Sequence, residues 1–134
     1  MVVLFDRFNL PDDIFEIIFA TTQQKIVAKE LIKYLIANGG EVSKSLMSIF
    51  ATQLHENKYE AMLDIPPYKG KKVRLGYNKR QFYDRILTPM KAMGLIDYDL
   101  YKKTYKISTK FSSDMMRIGL MWKRELRALG YTGA

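Results

Sequence analysis

The chain has 134 residues, of which 48% are apolar and 13% aromatic, enough for one proper core and too apolar for a disordered segment. It holds no cysteine and one histidine, His55, which excludes disulfide frameworks, thiolate nucleophiles and thiolate zinc sites, so that any metal site would be built from carboxylates. The net charge of +8 is one-sided: residues 1–64 hold six basic and nine acidic residues, net −3, whereas residues 65–134 hold sixteen and five, net +11, a field that favours a polyanion, with nucleic acid the first candidate and an anionic membrane the second.

The opening MVVLFDRFNLPDDIF lacks the basic and small-residue pattern of a signal peptide, and no apolar run approaches the roughly 18 residues of a membrane span, so a soluble, cytoplasmic protein is expected. In PDDIFEIIFA, residues 11–20, Pro11, Asp12 and Asp13 precede a dense apolar run and predict a short buried helix. The next helix has Thr22 as its cap, Val27, Leu31, Tyr34 and Leu35 as its apolar side, and Asn38-Gly39-Gly40 as its stop. A third starts at Ser43 with Leu46, Ile49, Phe50 and Leu54 on one face, and a helical scrap over 57–63 follows.

DIPPYKGKKVRLGYN breaks regular structure at Pro66-Pro67, Gly70 and Gly76, and carries Lys69, Lys71, Lys72 and Arg74 with no acid after Asp64. A surface loop is expected, with room for one short strand over 73–75. NKRQFYDRILTPMKAMG restores helical spacing over 78–93, with Phe82, Ile86, Met90 and Met93 on one side, Asn78 as cap, Gly94 as stop and Pro89 as a kink. LIDYD and TYKIS alternate, which predicts a hairpin over 95–109 with Ile96, Tyr98, Tyr105 and Ile107 on a dry face and LYKK as the connection. A last helix over 112–129 has Ser112 or Ser113 as its cap, a Phe111–Met116 staple, and Met115, Ile118, Trp122, Leu126 and Leu129 as a stripe. No repeat or linker divides the chain, so a single domain over 1–134 is expected.

GLIDYDLYKKTYKIS following an amphipathic helix resembles the passage from helix through glycine into ribbon of small MarR-like or PadR-like winged helix-turn-helix regulators. In size and lysine-tyrosine texture the chain is also similar to small archaeal and archaeal-virus winged-helix proteins, for which the compartment would be the host cytoplasm. The resemblance covers roughly residues 22–129, with a core over 22–111, and its specific part is 78–109. It implies an α+β, mainly helical fold with a two- or three-stranded wing, a C-terminal helix, no cofactor and no enzymatic activity. Helix 78–93 would lie in the major groove of double-stranded DNA and the basic wing on phosphates or the minor groove. One departure stands: helix-turn-helix proteins join their two helices by a few residues, yet more than twenty separate Leu54 from Asn78, so either the 55–77 loop is an insertion or the helix before it is shifted.

Helical phase puts Arg80, Gln81, Asp84, Thr88 and Lys91 opposite the apolar side of helix 78–93, with Arg85 flanking. Arginine pairs with guanine and glutamine with adenine, so Arg80 and Gln81 are the expected base readers. Lys91, Lys102, Lys103 and Lys106 are expected on phosphates, joined by Lys79 and by the loop cations Lys69, Lys71, Lys72 and Arg74. The final stripe serves either the core or, as similar regulators dimerise through terminal helices, a homodimer contact. Carboxylate clusters suited to a nuclease are better explained by a helix dipole at Asp12 and Asp13 and by solvation at Asp97 and Asp99, and no phosphate loop or nucleophile elbow is present. The expected function is therefore a sequence-specific DNA-binding transcription regulator. A replication or plasmid-partition initiator and a winged-helix module that binds an acidic protein instead of DNA are the alternatives.

Overall fold

The computed structural model describes residues 6–63 and 69–133 and is α+β, mainly helical, with two small antiparallel sheets. After a 3-10 turn at Arg7–Asn9 the chain forms α1 (Ile14–Ile18), α2 (Thr22–Ala37), β1 (Glu41–Ser43), α3 (Lys44–His55), β2 (Tyr59–Met62) and β3 (Lys72–Leu75). A composite helix follows, built from α4 (Lys79–Phe82), a π-helical turn (Tyr83–Leu87) and α5 (Thr88–Ala92). The chain then forms β4 (Ile96–Asp99), β5 (Thr104–Ile107) and α6 (Lys110–Ala128). One sheet has the order β1-β5-β4 and the other is the β2–β3 hairpin. No helix among the described residues is long and apolar enough to cross a membrane.

Local chemistry accounts for the helix ends. The Asp13 carboxylate accepts a hydrogen bond from the Phe15 amide, and the Thr21 hydroxyl, one residue before the expected cap, accepts from Gln24. Ser43 caps α3 as expected, accepting from Leu46. The predicted 11–20 helix is shorter and less buried than the pattern implied, because Ile14 faces outward and Phe15 and Ile18 only half-enter the core; it is Phe19, just past the helix, that is buried. On α3 the inward side is Met47, Phe50, Ala51 and Leu54, while Leu46 and Ile49 stay exposed.

The helical scrap predicted over 57–63 is a strand instead. Asn57, at φ 58°, reverses the chain after α3, and from there the pattern has period two, with Ala61 and Leu63 buried and Glu60 and Met62 exposed. Tyr59 pairs with Leu75 and Met62 with Lys72, so β2 and β3 form an antiparallel pair between α3 and the composite helix, and α3 keeps its predicted position. Pro66-Pro67, with Asp64 and Ile65, lies outside the described residues.

This hairpin is fastened to the body at several points. Tyr77 donates its amide to the Leu54 carbonyl at 2.9 Å, Gln23 reaches the Gly76 carbonyl at 2.9 Å, and Tyr59 packs edge-on against Phe50 with ring centroids 4.9 Å apart. Beside it lies Glu30, buried but paired with Lys33 at 3.0 Å, and Lys33 also donates to the Met62 carbonyl. Burial first, and the Glu30 charge second, push the Tyr59 phenol up to about 12.

The core centres on Phe50, whose ring meets Tyr34 at 4.9 Å and Phe82 at 5.5 Å as well as Tyr59. Around it lie Val27, Leu31, Leu35, Met47, Leu54, Ile86, Leu87, Met90 and Ile96, all nearly inaccessible. Phe50→Ala should therefore destabilise the fold by about 3–5 kcal/mol in chemical denaturation, as expected for a buried aromatic that the surrounding elements cannot collapse upon. Tyr59 ionises late in the folded state, so stability present below about pH 10 should fade as pH rises toward 12. Absorbance titration at 295 nm should show the latest phenol disappearing in Tyr59→Phe.

Candidate nucleic-acid interface

The composite helix is positioned at its start by two caps. Asn78 accepts from the Gln81 amide at 3.0 Å, and His55, at the end of α3, accepts the Lys79 amide on Nδ1 at 3.1 Å. Two of the otherwise unpaired amides at the helix N-terminus are thereby satisfied, one of them by a neighbouring helix. Lys79 then folds back on α3, its Nζ donating to the Thr52 hydroxyl at 2.9 Å and to Ser48 at 3.3 Å. Of the cations expected to meet phosphates, Lys79 is thus committed as a brace between α3 and α4.

Pro89 explains the π-helical turn. A proline lacks the amide and its ring crowds the carbonyl four residues earlier. Widening the turn over Tyr83–Leu87, with Thr88 donating to the Tyr83 carbonyl five residues back, accommodates it without breaking the helix. The extra residue rotates the second half, so Leu87 joins Phe82, Ile86 and Met90 in the core, while Met93 is only half-buried.

On the outer side Arg80, Gln81, Asp84, Arg85, Thr88 and Lys91 are all exposed. Arg80, 92% exposed, lies 3.8 Å from the Asp84 carboxylate, a weak pair that leaves its guanidinium free to turn. Lys91 leans over the sheet, with its Nζ 5.8 Å from the ring centroids of both Tyr98 and Tyr105. Those two tyrosines pack against each other on the inner face, their ring centroids 4.6 Å apart and their planes tilted by 50°, as the alternation predicts.

The tip of the β4–β5 hairpin is held by Asp99, whose carboxylate accepts from the Tyr101 and Lys102 amides at 2.9 and 3.1 Å. The Lys102 amide is the main reason that its pKa falls below the usual range; burial pushes the other way, and the Tyr101 amide and the charges of Lys102 and Lys106 lower it further. The turn is therefore held at all pH values above that range and loosens only in acid. Lys103 adopts φ 54°, and its carbonyl accepts from the Lys44 amide at 2.9 Å, which ties the tip to the first turn of α3. Lys102 and Lys103 project freely, alongside Leu100 and a Tyr101 that is 99% exposed. Lys106 sits apart, in the central strand between Glu41 and Asp97.

The β2–β3 hairpin carries the remaining predicted cations. Lys72 and Arg74 share its outer face with Met62 and Glu60, their register partners, and Lys69 and Lys71 are exposed beyond the strand end. This hairpin leads into the composite helix at Asn78, and the β4–β5 hairpin leaves it at Gly94. A polar helix face is thus bounded in the chain by a basic hairpin at each end.

The junction at Gly94 is tight. Its φ is +80°, and a Cβ there would lie 3.1 Å from both the Lys110 Cβ and the Phe111 amide, which donates to the Gly94 carbonyl at 3.0 Å. The expectation that glycine ends the helix sharply is met, with a second requirement added by α6. Neither the His55 cap nor the Lys79 brace is legible in the sequence, because both depend on partners 24 to 31 residues away.

No family model, no curated protein and no solved structure matches the chain.

His55→Ala should release the Lys79 amide, costing about 1 kcal/mol and raising hydrogen exchange at that amide selectively. Gly94→Ala should cost more, about 1–2 kcal/mol for the left-handed backbone plus the crowding against Lys110, measured by denaturation.

Proposed function

We propose that the protein is a winged helix-turn-helix regulator that binds double-stranded DNA in a sequence-specific manner. The observation that carries this reading is the single exposed run of Arg80, Gln81, Asp84, Arg85, Thr88 and Lys91 on a helix bounded by two basic hairpins, in the half of the chain with net charge +11. A helix of this width fits the major groove. Within it Arg80 and Gln81 supply paired donors and acceptors for guanine and adenine, and Asp84 an acceptor for the cytosine amino group.

The β4–β5 hairpin acts as the wing. Its Lys102 and Lys103 neutralise phosphates, and Leu100 and Tyr101 offer an apolar and aromatic edge for the minor groove. The inserted β2–β3 hairpin is a second arm, with Lys69, Lys71, Lys72 and Arg74 on the backbone at the other end of the helix. Lys79 and His55 do not touch DNA in this reading; they set the angle at which Arg80 and Gln81 leave the body.

With about six phosphates contacted, log affinity should fall against log salt with a slope near −5, and removing Lys102 and Lys103 together should flatten it by up to about 2. Arg80→Ala should lose about 1–3 kcal/mol of discrimination among DNA sequences selected from a random pool, whereas Lys103→Ala should weaken all sequences alike. Binding indifferent to salt, or no binding at low salt, would remove the proposal.

A further inference from the structure

α6 runs for 19 residues, about 28 Å, and none of them is buried. Among the described residues its polar contacts to the rest of the chain lie at its base, where the Phe111 amide donates to the Gly94 carbonyl and Lys110 pairs with the Asp97 carboxylate at 3.0 Å. The helix begins at Lys110, ahead of the predicted serines, and no side chain caps it. The expected Phe111–Met116 staple is absent, with Met116 71% exposed. The predicted stripe of Met115, Ile118, Trp122, Leu126 and Leu129 is exposed or half-buried and so does not serve the core.

The charges of α6 are segregated. At about 100° per residue, Arg117, Lys123, Arg124 and Arg127 fall in one arc that holds no acid and is centred roughly 170° from the apolar stripe. Asp114 and Glu125 lie together elsewhere, in the gap between the stripe and Lys110. All four cations are exposed, and no carboxylate among the described residues pairs with any of them. Lys123, Arg124 and Arg127 line a shallow groove together with Leu120.

A solvated helix gains from mixing its signs, because opposite charges three or four residues apart attract and like charges repel. Here Lys123 and Arg127 are four apart, and Arg124 and Arg127 three apart. The helix dipole accounts for Arg127, in the last turn, and leaves Arg117 and Lys123 without a reason. The concentration of like charge therefore costs the lone helix stability that an external polyanion restores. From Arg117 to Arg127 the row spans about 15 Å of helix. A duplex strand presents one phosphate per about 3.4 Å of axis, so the row matches about four successive phosphates. An anionic membrane fits worse. A helix lying on it sinks the apolar stripe to the headgroup level, which sets Asp114 and Glu125 among the headgroups and turns the cation row toward water.

We propose that this basic face of α6 is a contact for nucleic-acid phosphates, separate from the composite helix and from both hairpins. It starts about 10 Å along α6 from the Gly94 junction, where the polar helix face ends. The proposal rests on the DNA-binding reading above and extends it, adding affinity for every sequence and no base readout.

Arg117→Gln, Arg124→Gln and Arg127→Gln combined should leave the far-ultraviolet circular dichroism unchanged, since glutamine is about as good a helix former as arginine. On a duplex of random sequence this variant should flatten the salt slope by about 1 to 3 and bind at least tenfold more weakly at about 0.1 M salt. Its preference for selected over random duplex should equal that of the wild type. Lysine at the same three positions should keep the wild-type slope. If the triple variant does not fold, Arg124→Gln alone supplies the reading, with the slope flattened by about 0.9. A wild-type slope in the triple variant would overturn the inference and leave the reading of the composite helix standing. A flattened slope in a protein that discriminates no sequences would do the reverse, and a wild type that binds no duplex would overturn both. Binding to phosphatidylglycerol vesicles that the triple variant loses, with the duplex slope unchanged, would overturn the inference in favour of a lipid surface.

Discussion

One aromatic contact set organises this molecule: the Phe50 ring, with Tyr34 of α2, Tyr59 of β2 and Phe82 of α4 against it. Three elements converge on one side chain of a fourth, and two of them bring the polar features that matter at the surface. Through Tyr59 the β2–β3 hairpin is docked instead of hanging from two ends. Through Phe82 the composite helix is pressed against α3, which lets Lys79 reach Thr52 and Ser48 and lets His55 reach the Lys79 amide. Apolar burial supplies the adhesion and the hydrogen bonds supply the angle.

The composite helix shows how a local misfit is absorbed without loss of a face. Pro89 would break a regular α-helix, yet one widened turn ahead of it keeps the polar side chains outside and brings Leu87 inside. Because the two halves differ in phase, the surface they present is slightly wound relative to a regular helix. Lys91 consequently lies over the tyrosines of the adjacent sheet as well as at the end of the polar face.

Much of this architecture was legible in the residues themselves. Ser43, Asn78 and Gly94 marked ends that depend on a side chain or backbone within three residues, and the alternation in LIDYD and TYKIS marked the β4–β5 hairpin, because strand and cap signals are local. The exposed face at Arg80 to Lys91 was legible for the same reason. What escaped was non-local. Residues 57–63 read as helix because Glu60, Ala61 and Met62 favour one, and only pairing with 72–75 makes them a strand. β1 is three residues long, too short for any periodicity. His55 and Lys79 gave no sign of their roles, since a lone histidine and a lysine in a basic run look like solvated surface until folding brings their partners near.

Gly94 has a mechanical consequence beyond its part in ending a helix. The composite helix, the sheet and α6 all meet at this one residue, and α6 extends from it as an arm of about 28 Å. A rotation of about 10° at the joint would carry the far end of the arm through about 5 Å, roughly one helical turn. The left-handed backbone and the close fit to Lys110 and Phe111 make the joint stiff, with the Lys110–Asp97 pair as a strut across it. The direction of the longest lever in the molecule is thus held by a residue with no side chain, and any force applied to α6 is delivered directly to the end of the polar helix.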